Sequence, residues 1–240
     1  MIKFFRKIRQ NSLSEGKTGK YFKYAIGEIV LVVLGILIAL QVNNWNEAQK
    51  INIIEESILN DLKVEVEANT IALQAVIDDH KESLSATHKL LTYMGDLKKM
   101  VNENDSSIVA LLYIHQRNTT YDPKLGTLKS IINSGKTEYI SNKKLRYQIS
   151  SLMDIISDAN ESTNHIQNER PLILYPVFFG VYERQLDGTM ITNSQKLFNS
   201  SQFMYWLEYL KVMRKEGLEE ENDLLKYLQE MTKMIDLEIK

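Results

Sequence analysis

The sequence predicts an all-α protein with one N-terminal transmembrane helix, a long stalk helix continuing from it, and a helical bundle. Three observations predict this class. A single apolar run covers residues 25–42, and about 20 apolar residues in a helix cross the roughly 30 Å core of a bilayer. After it, apolar side chains recur at steps of three and four, the period of an α-helix. Three prolines and ten glycines in 240 residues disfavour an all-β fold, which is rich in turns.

The apolar run, AIGEIVLVVLGILIALQV, is flanked by Tyr21, Phe22 and Tyr24 before it and by Trp45 after it. Aromatic side chains collect where a span meets the membrane interface, so we expect Trp45 to be an interface anchor. A cleaved signal peptide is the alternative interpretation. Its apolar region would be roughly 7–15 residues long and followed by a small-x-small cleavage site. This run is longer and ends in LQVNNW, which predicts an uncleaved transmembrane helix over residues 24–44.

The leader, residues 1–23, is basic, with seven Lys and Arg against one Glu. Lys and Arg beside a first span hold that end in the cytoplasm. The rest of the chain is therefore predicted to be periplasmic, at the inner membrane of a bacterium. Because the whole chain carries −2 and the leader is positive, the exported part is acidic and no nucleic acid is expected as its partner. The leader is expected to contact membrane lipid.

Cysteine is absent from the chain, which excludes disulfides and thiol catalysis. Residues 45–99 are predicted to form the stalk helix, since Gly95 is the first Pro or Gly after the span. Its stripe of apolar or small side chains comprises Ile51, Ile54, Ile58, Leu62, Val66, Asn69, Leu73, Val76 or Ile77, His80, Leu84, Thr87, Leu91 and Met94. Polar members of such a stripe typically fix helix register. Residues 100–240 are predicted to form the bundle, which packs with the stalk.

The bundle is predicted to begin with a turn over residues 100–107, a helix over 107–117 and a loop over 118–123. A helix over 124–133 should end at Ser134 and Gly135, because glycine favours a helix C-terminus. The next helix, 142–169, has a regular coiled-coil-like seam and should stop at Pro171. Residues 171–182 are interpreted as core packing, with membrane-surface contact as the alternative. The last helical region, 195–237, should follow a loop over 185–193 and break near Gly217.

The densest recognisable pattern covers residues 4–47. It includes Thr18-Gly19-Lys20-Tyr21, Tyr24-Ala25-Ile26-Gly27-Glu28-Ile29 and the run GILIALQ followed by NNWNE. This stretch resembles the signature of a family of uncharacterised single-pass inner-membrane proteins from Bacteroidota, a domain of unknown function. Beyond residue 47 the likeness is sparse. The resemblance implies an inner-membrane location and no known activity.

Glu28 lies within the predicted span, on one helix face with Val32, Gly35 and Ala39 at steps of four, three and four. Two interpretations stay open. Glu28 is about 6 Å from the cytoplasmic end of the span, so its carboxylate can snorkel toward Lys20 or Lys23. Alternatively, acids inside a membrane face protein or a proton path, and the small residues Gly35 and Ala39 permit close helix packing. The second interpretation predicts a membrane-helix association site at these four residues.

A second candidate site is a polar face on the 142–169 helix, formed by Asp154, Asp158, Glu161 and His165. Carboxylate and imidazole groups are ligands for cations, which makes these residues a weak cation candidate. A solvated acidic face is the other interpretation, since they lie opposite the apolar seam. No metal site and no cofactor are expected.

Nucleophile elbows, phosphate-binding glycine loops and HExxH or CxxC motifs are all missing from the sequence, so we expect no enzyme. The leading hypothesis is a membrane-anchored periplasmic structural or interaction subunit. It would form a homo-oligomer through span and stalk and contact a membrane or periplasmic protein partner. Two alternatives stay open. One is an accessory subunit of a proton-driven inner-membrane complex that uses Glu28. The other is a ligand-sensing helical bundle.

Overall fold

The computed structural model describes residues 18–96, 98 and 105–239. Most of the leader and most of the predicted turn at 100–107 lie outside these residues. The all-α class is confirmed. The helices are α1 (Thr18–Gly95), α2 (Asp105–Ile114), α3 (Gly126–Asn133), a 3-10 turn (Lys136–Tyr139), α4 (Lys143–Ala159), α5 (Glu161–Val181), α6 (Ser194–Phe198) and α7 (Ser201–Glu238). Two three-residue strands, β1 (Tyr182–Arg184) and β2 (Met190–Thr192), form an antiparallel hairpin between α5 and α6.

Helix α1 runs through 78 residues, so the predicted continuation of the span into a long helix is confirmed. The chain forms two compact units, and the boundary between them lies within α1, after Glu55. In the first unit, the apolar window of α1 has a mean hydropathy of 2.5, and none of it is buried within the described chain. A helix of this length and composition can cross a membrane.

The second unit, from Glu56 onward, is a helical bundle with two apolar clusters. The first, named here the aliphatic cluster, joins α1, α3, α4 and the second half of α7. Its largest fully buried side chains include Leu59, Leu62, Leu73, Ile77, Leu128 and Leu145. The second, the aromatic cluster, joins the end of α1 with α2, α5, α6 and the first half of α7. It contains Tyr93, Phe198, Phe203 and Trp206.

The buried face of α1 departs from the predicted stripe after His80. The prediction holds from Ile58 to His80, where every predicted position is buried. Val76 and Ile77 were alternatives in the prediction, and both are buried. Beyond it, the predicted Thr87 is buried, but the predicted Leu84, Leu91 and Met94 are only half-buried. Ser83, Leu90 and Tyr93 are buried instead. At this point α1 passes from the aliphatic to the aromatic cluster, so different packing neighbours select the buried side chains. Ile51 and Ile54 are exposed.

The prediction of one helix over 142–169, stopped by Pro171, is wrong at both points. Helix α4 ends at Ala159 and α5 begins at Glu161. Between them, the Asn160 side chain donates hydrogen bonds to the Tyr121 and Ile156 carbonyls at 3.1 and 3.3 Å. Pro171 and Pro176 lie inside α5. Proline removes one helical hydrogen bond, and burial of the neighbouring Leu174, Val177 and Val181 opposes that loss.

The predicted break near Gly217 is also wrong, because α7 is continuous from Ser201 to Glu238. Gly217 is buried and serves helix packing. A Cβ atom at this position would lie 3.1 Å from the Ser162 Cβ of α5, closer than ordinary van der Waals contact. Glycine therefore permits the close approach of α5 and α7.

The predicted end of α3 is confirmed, since Gly135 has the left-handed φ of 70° that glycine adopts at little cost. The start of α3 is fixed from α1. The Glu65 carboxylate accepts hydrogen bonds from the backbone N–H groups of Thr127 and Leu128 at 2.6 and 2.9 Å, satisfying donors that a helix N-terminus leaves free. Asn69, buried on α1, both donates to and accepts from the Lys124 backbone at 2.6 and 2.8 Å.

Candidate functional site

Four residues were predicted to form the membrane-helix association site. In the chain taken alone, Val32 is 58% exposed, Gly35 and Ala39 are exposed, and Glu28 is half-buried. Trp45 is 63% exposed, as an interface anchor would be. The association site and the anchor stay predictions.

The weak cation candidate is divided between two helices. Asp154 and Asp158 are exposed on α4, whereas Glu161 and His165 are exposed on α5. The His165 Nε2 lies 3.7 Å from the Glu161 Oε1. In the described parts of the chain, no group of three or more carboxylate or imidazole side chains is placed to hold a metal ion. The cation candidate therefore stays a prediction.

Helix α1 carries a second apolar stripe within the bundle, on the side away from the buried face. Val64 and Ile71 are 69% and 73% exposed, and Ala68 and Ala75 are exposed between and after them. We name these four residues the α1 seam. Their steps of four, three and four are those of a coiled-coil interface. The sequence prediction concentrated on the longer stripe and missed this one, although its spacing was visible.

A layer of buried polar side chains separates the two apolar clusters along both α1 and α7. Its central contact joins the two helices, because the His80 Nδ1 lies 2.7 Å from the Glu221 Oε1. These side chains are 0% and 1% exposed. A histidine oriented by a carboxylate is one arrangement of a general base. Such complete burial requires the bundle to open before a substrate could reach it.

The same layer extends to Arg214 on α7. Its Nη2 donates hydrogen bonds to the Arg117 carbonyl and the Asn118 Oδ1 at 3.0 and 2.6 Å. Asn118 in turn donates to the Thr163 carbonyl of α5 at 3.0 Å. Burial lowers the pKa of Arg214 to about 10 against an opposing effect of Glu221, so its guanidinium stays charged at neutral pH. Several polar atoms of this layer have no hydrogen-bond partner among the described residues: His80 Nε2, His115 Nε2, Thr163 Oγ1, Arg214 Nε and Nη1, and Glu221 Oε2.

His115, which follows α2, contributes an imidazole to the edge of this layer. It is completely buried, and its ring packs edge-to-face on Phe203 with centroids 5.9 Å apart. Its backbone carbonyl accepts a hydrogen bond from the Ser83 hydroxyl at 2.9 Å. Burial lowers the pKa of His115 to about 4, so the folded chain holds this imidazole neutral at neutral pH.

The bundle surface carries an open groove of about 770 Å³ between α2, α5 and the β-hairpin. We name it the tyrosine groove. It is lined by Val109, Leu112, Tyr113, Gln116, Tyr175, Phe178, Phe179, Tyr182, Ile191 and Ser194. Tyr113 and Phe179 are 76% and 80% exposed. The interpretation of residues 171–182 as core packing holds for Leu174, Val177 and Val181. It is wrong for the other face, where Leu172, Tyr175 and Phe179 are exposed.

Residues 28–158 match the model of a protein family described as "Family of unknown function (DUF6090)". The match covers more than half of the chain. The chain belongs to this family. No curated protein and no solved structure matches it.

The family match and the fold divide the chain at different places. The matched residues extend from Glu28 through α2 and α3 to Asp158 at the end of α4. They overlap the recognised pattern over 28–47 and continue where the sequence resemblance was sparse. Helices α5 to α7 follow the matched residues, yet α7 supplies Leu224, Leu228, Met231 and Ile235 to the aliphatic cluster. The bundle therefore needs the C-terminal helix to complete the core of the matched region.

Proposed function

We propose that the chain is a membrane-anchored interaction subunit that self-associates through α1, with its bundle in the periplasm and no catalytic activity. The observation that carries the proposal is the α1 seam, Val64, Ala68, Ile71 and Ala75. One side of α1 is occupied by its own bundle, whereas the side that bears Val64 and Ile71 is exposed. Large apolar side chains that repeat on an exposed helix face favour a partner helix.

The partner that fits best is a second copy of the same chain. Copies that insert by the same span have the same orientation, so their α1 helices are parallel, as in a parallel coiled coil. Tethering in one membrane also raises their effective concentration. The predicted association residues of the span, from Glu28 to Ala39, have the same four-three-four spacing in the sequence.

The α1 seam is short, which makes the membrane tether important to the proposal. The positions that would extend it in either direction are Asp61 and Asp78. Like charges brought together at these positions oppose longer pairing. Isolated helices as short as two heptads associate weakly. We therefore expect association in the membrane and dissociation on dilution in detergent.

The absence of cysteine allows a direct test, because each introduced cysteine is the only one in the chain. Ile71→Cys places a thiol in the α1 seam, and Ser150→Cys places one on the exposed face of α4 as the matched control. After mild oxidation in native membranes, Ile71→Cys should form a disulfide-linked dimer at twice 27.8 kDa. A disulfide requires Cβ atoms about 3.5–4.5 Å apart, so Ser150→Cys should stay monomeric.

Two results would contradict this proposal. One is a monomer for both variants, and the other is equal crosslinking of both. A further test combines Ile71→Asp with Ala68→Cys. Ala68→Cys alone should form the disulfide-linked dimer, and adding Ile71→Asp should abolish it. The Ser150→Cys variant also tests orientation. In cells with a permeabilised outer membrane and an intact inner membrane, a membrane-impermeant maleimide should label Cys at this position.

Glu28→Gln separates self-association from the proton-driven alternative. The amide keeps the shape of the side chain and removes the ionisable group. Under the proposal, crosslinking through Ile71→Cys should be unchanged by Glu28→Gln and cells should show no phenotype from it. A phenotype with intact crosslinking would favour an accessory role in a proton-driven complex.

A further inference from the structure

The tyrosine groove has a lining that differs from the rest of the bundle surface. Among the described side chains that line it, none is an Asp, Glu, Lys, Arg or His. Charged residues make up 25% of the whole chain, so an uncharged lining of ten side chains selects for an uncharged ligand. The volume of about 770 Å³ falls in the range of roughly 300–1,000 Å³ that ligand sites occupy.

The polar groups of the groove are all neutral at physiological pH. They are the hydroxyls of Tyr113, Tyr175 and Tyr182, the Gln116 amide and the Ser194 hydroxyl. Each can donate a hydrogen bond, and none is an obligate acceptor such as a carboxylate. Gln116 uses one of its two amide protons for the Leu112 carbonyl at 2.7 Å, which leaves a second proton. The groove thus offers donors to a ligand that presents acceptors.

The aromatic rings form exposed ridges on both sides of the groove. Tyr113 lies on α2, Tyr175 and Phe179 lie one turn apart on α5, and Tyr182 begins the β-hairpin. The Phe178 and Tyr182 rings pack at 6.2 Å with an interplanar angle of 32°. Tyr175 and Tyr182 are each 47% exposed. Ring faces at this level of exposure can stack against a ligand.

We propose that the tyrosine groove binds a proline-rich segment of a partner protein in the polyproline II conformation. Proline has no N–H group, and a polyproline II helix has no internal hydrogen bonds, so its carbonyls point outward as unsatisfied acceptors. A groove with aromatic ridges and neutral donors matches both features, and aromatic-lined grooves are the known sites for such segments. The proposal goes beyond self-association, because the α1 seam contributes nothing to the groove.

An amphipathic helix is the competing occupant of an apolar groove. The backbone carbonyls in the interior of a helix are already hydrogen-bonded within it, so they offer no free acceptor to the five neutral donors. The donor set therefore favours the polyproline II segment.

The test uses the full-length protein in lipid nanodiscs and a fluorescein-labelled decaproline peptide as the probe, with fluorescence polarisation as the readout. Decaproline should bind saturably, and a Gly-Ser peptide of equal length should not. Tyr175→Ala and Phe179→Ala should each weaken binding by about tenfold or more, as removal of an aromatic interface anchor does. Tyr147→Ala is the matched control, because Tyr147 on α4 is 72% exposed and lies outside the groove.

The outcomes separate the possible occupants. Phe179 is mostly exposed, so its substitution leaves the core intact, and circular dichroism should confirm an unchanged fold. No binding of decaproline up to millimolar concentration would overturn the proposal. Binding that Tyr147→Ala weakens as much as Phe179→Ala would also overturn it. A third contrary result is that decaproline does not bind while a Leu-Lys amphipathic helical peptide does, and that Tyr175→Ala and Phe179→Ala weaken binding of the helical peptide. Crosslinking through the α1 seam is an independent readout, so this proposal can fail while self-association holds.

Discussion

The aliphatic and aromatic clusters of the bundle use the same helices α1 and α7 and differ in what surrounds them. The aliphatic cluster contains a single aromatic residue, Tyr121, among its buried members. The aromatic cluster has four, with edge-to-face contacts of 6.3 Å between Tyr93 and Phe198 and 5.9 Å between Phe198 and Phe203. The aromatic half also carries the tyrosine groove, formed by the outer faces of α2 and α5 whose inner faces build the cluster.

One long helix pair, α1 and α7, thus supports two apolar cores of different composition. The aliphatic half belongs mostly to the family-matched region and is a core of interlocking Leu and Ile side chains. The aromatic half combines a core with the open tyrosine groove on its surface. The polar layer around His80 and Glu221 lies between them. Buried polar groups are costly unless they are paired. We therefore expect substitutions in this layer to lower the free energy of unfolding most.

The largest effect should come from the His80–Glu221 contact. His80→Leu leaves the Glu221 carboxylate buried without its partner, which should lower the free energy of unfolding by about 3–5 kcal/mol. The double variant His80→Leu with Glu221→Leu should recover most of this loss. Denaturant unfolding of the solubilised chain followed by circular dichroism measures both. His88→Leu, at an exposed position two turns later on α1, is the control and should change little. If the double variant is as unstable as the single one, the layer is not held by this pair.

A smaller effect should follow from pH through His115, which contacts the aromatic cluster. Its folded pKa of about 4 is below the value of about 6.5 in an unfolded chain. Between these two values the unfolded chain binds a proton that the folded chain excludes. Stability should therefore fall as the pH falls from 6.5 to 4, by up to about 3 kcal/mol, and should be unaffected by this group above pH 7.

The measurement for His115 is the unfolding free energy across this pH window, with Trp206 fluorescence as the local probe in a Trp45→Phe background. His115→Leu should remove the corresponding part of the pH dependence. His165→Leu should keep it, because His165 is exposed. An equal slope in the wild type and His115→Leu would refute the assignment and would place the acid sensitivity elsewhere.

The smallest effect should come from Gly217→Ala, which tests the close contact between α5 and α7. The new methyl group would meet the Ser162 Cβ at 3.1 Å, and overpacking costs about 1–3 kcal/mol. The higher helix propensity of alanine offsets up to about 1 kcal/mol of this, so a net loss near 1 kcal/mol is expected in thermal unfolding. Ser162→Gly should rescue the variant. Gly180→Ala should be neutral or stabilising, because nothing in the described chain lies within 4 Å of the position that its new Cβ would take.

Local signals predicted the elements that depend on neighbouring residues. Helices α2 and α3 begin and end within about a turn of their predicted bounds, and the Gly135 cap follows from glycine's access to positive φ. The stripe from Ile58 to His80 was predictable because one regular period held over six turns. After His80, Thr87 is the one predicted position that is fully buried, because the helix passes there from the aliphatic to the aromatic cluster and different neighbours select the buried side chains.

The misplaced boundaries have a common physical origin. Pro171 and Gly217 are helix breakers by local propensity, and both lie within helices because packing outweighs a local cost of about 1–3 kcal/mol. Asn160 ends α4 through a long-range hydrogen bond to Tyr121, which no local pattern shows. The β-hairpin over 182–192 escaped prediction because its strands are only three residues long.

Three features were predictable from the amino-acid sequence: the helical class, the apolar helix long enough to cross a membrane, and the continuation of that helix to Gly95. These follow from composition and from periodicity along one chain segment, which need no knowledge of distant contacts. Two other features became visible only in the folded chain. His80 contacts Glu221, 141 residues away, and α2, α5 and the hairpin together line one groove. Pairing between distant residues depends on how the helices cross, and that geometry is set by the packing of the whole bundle.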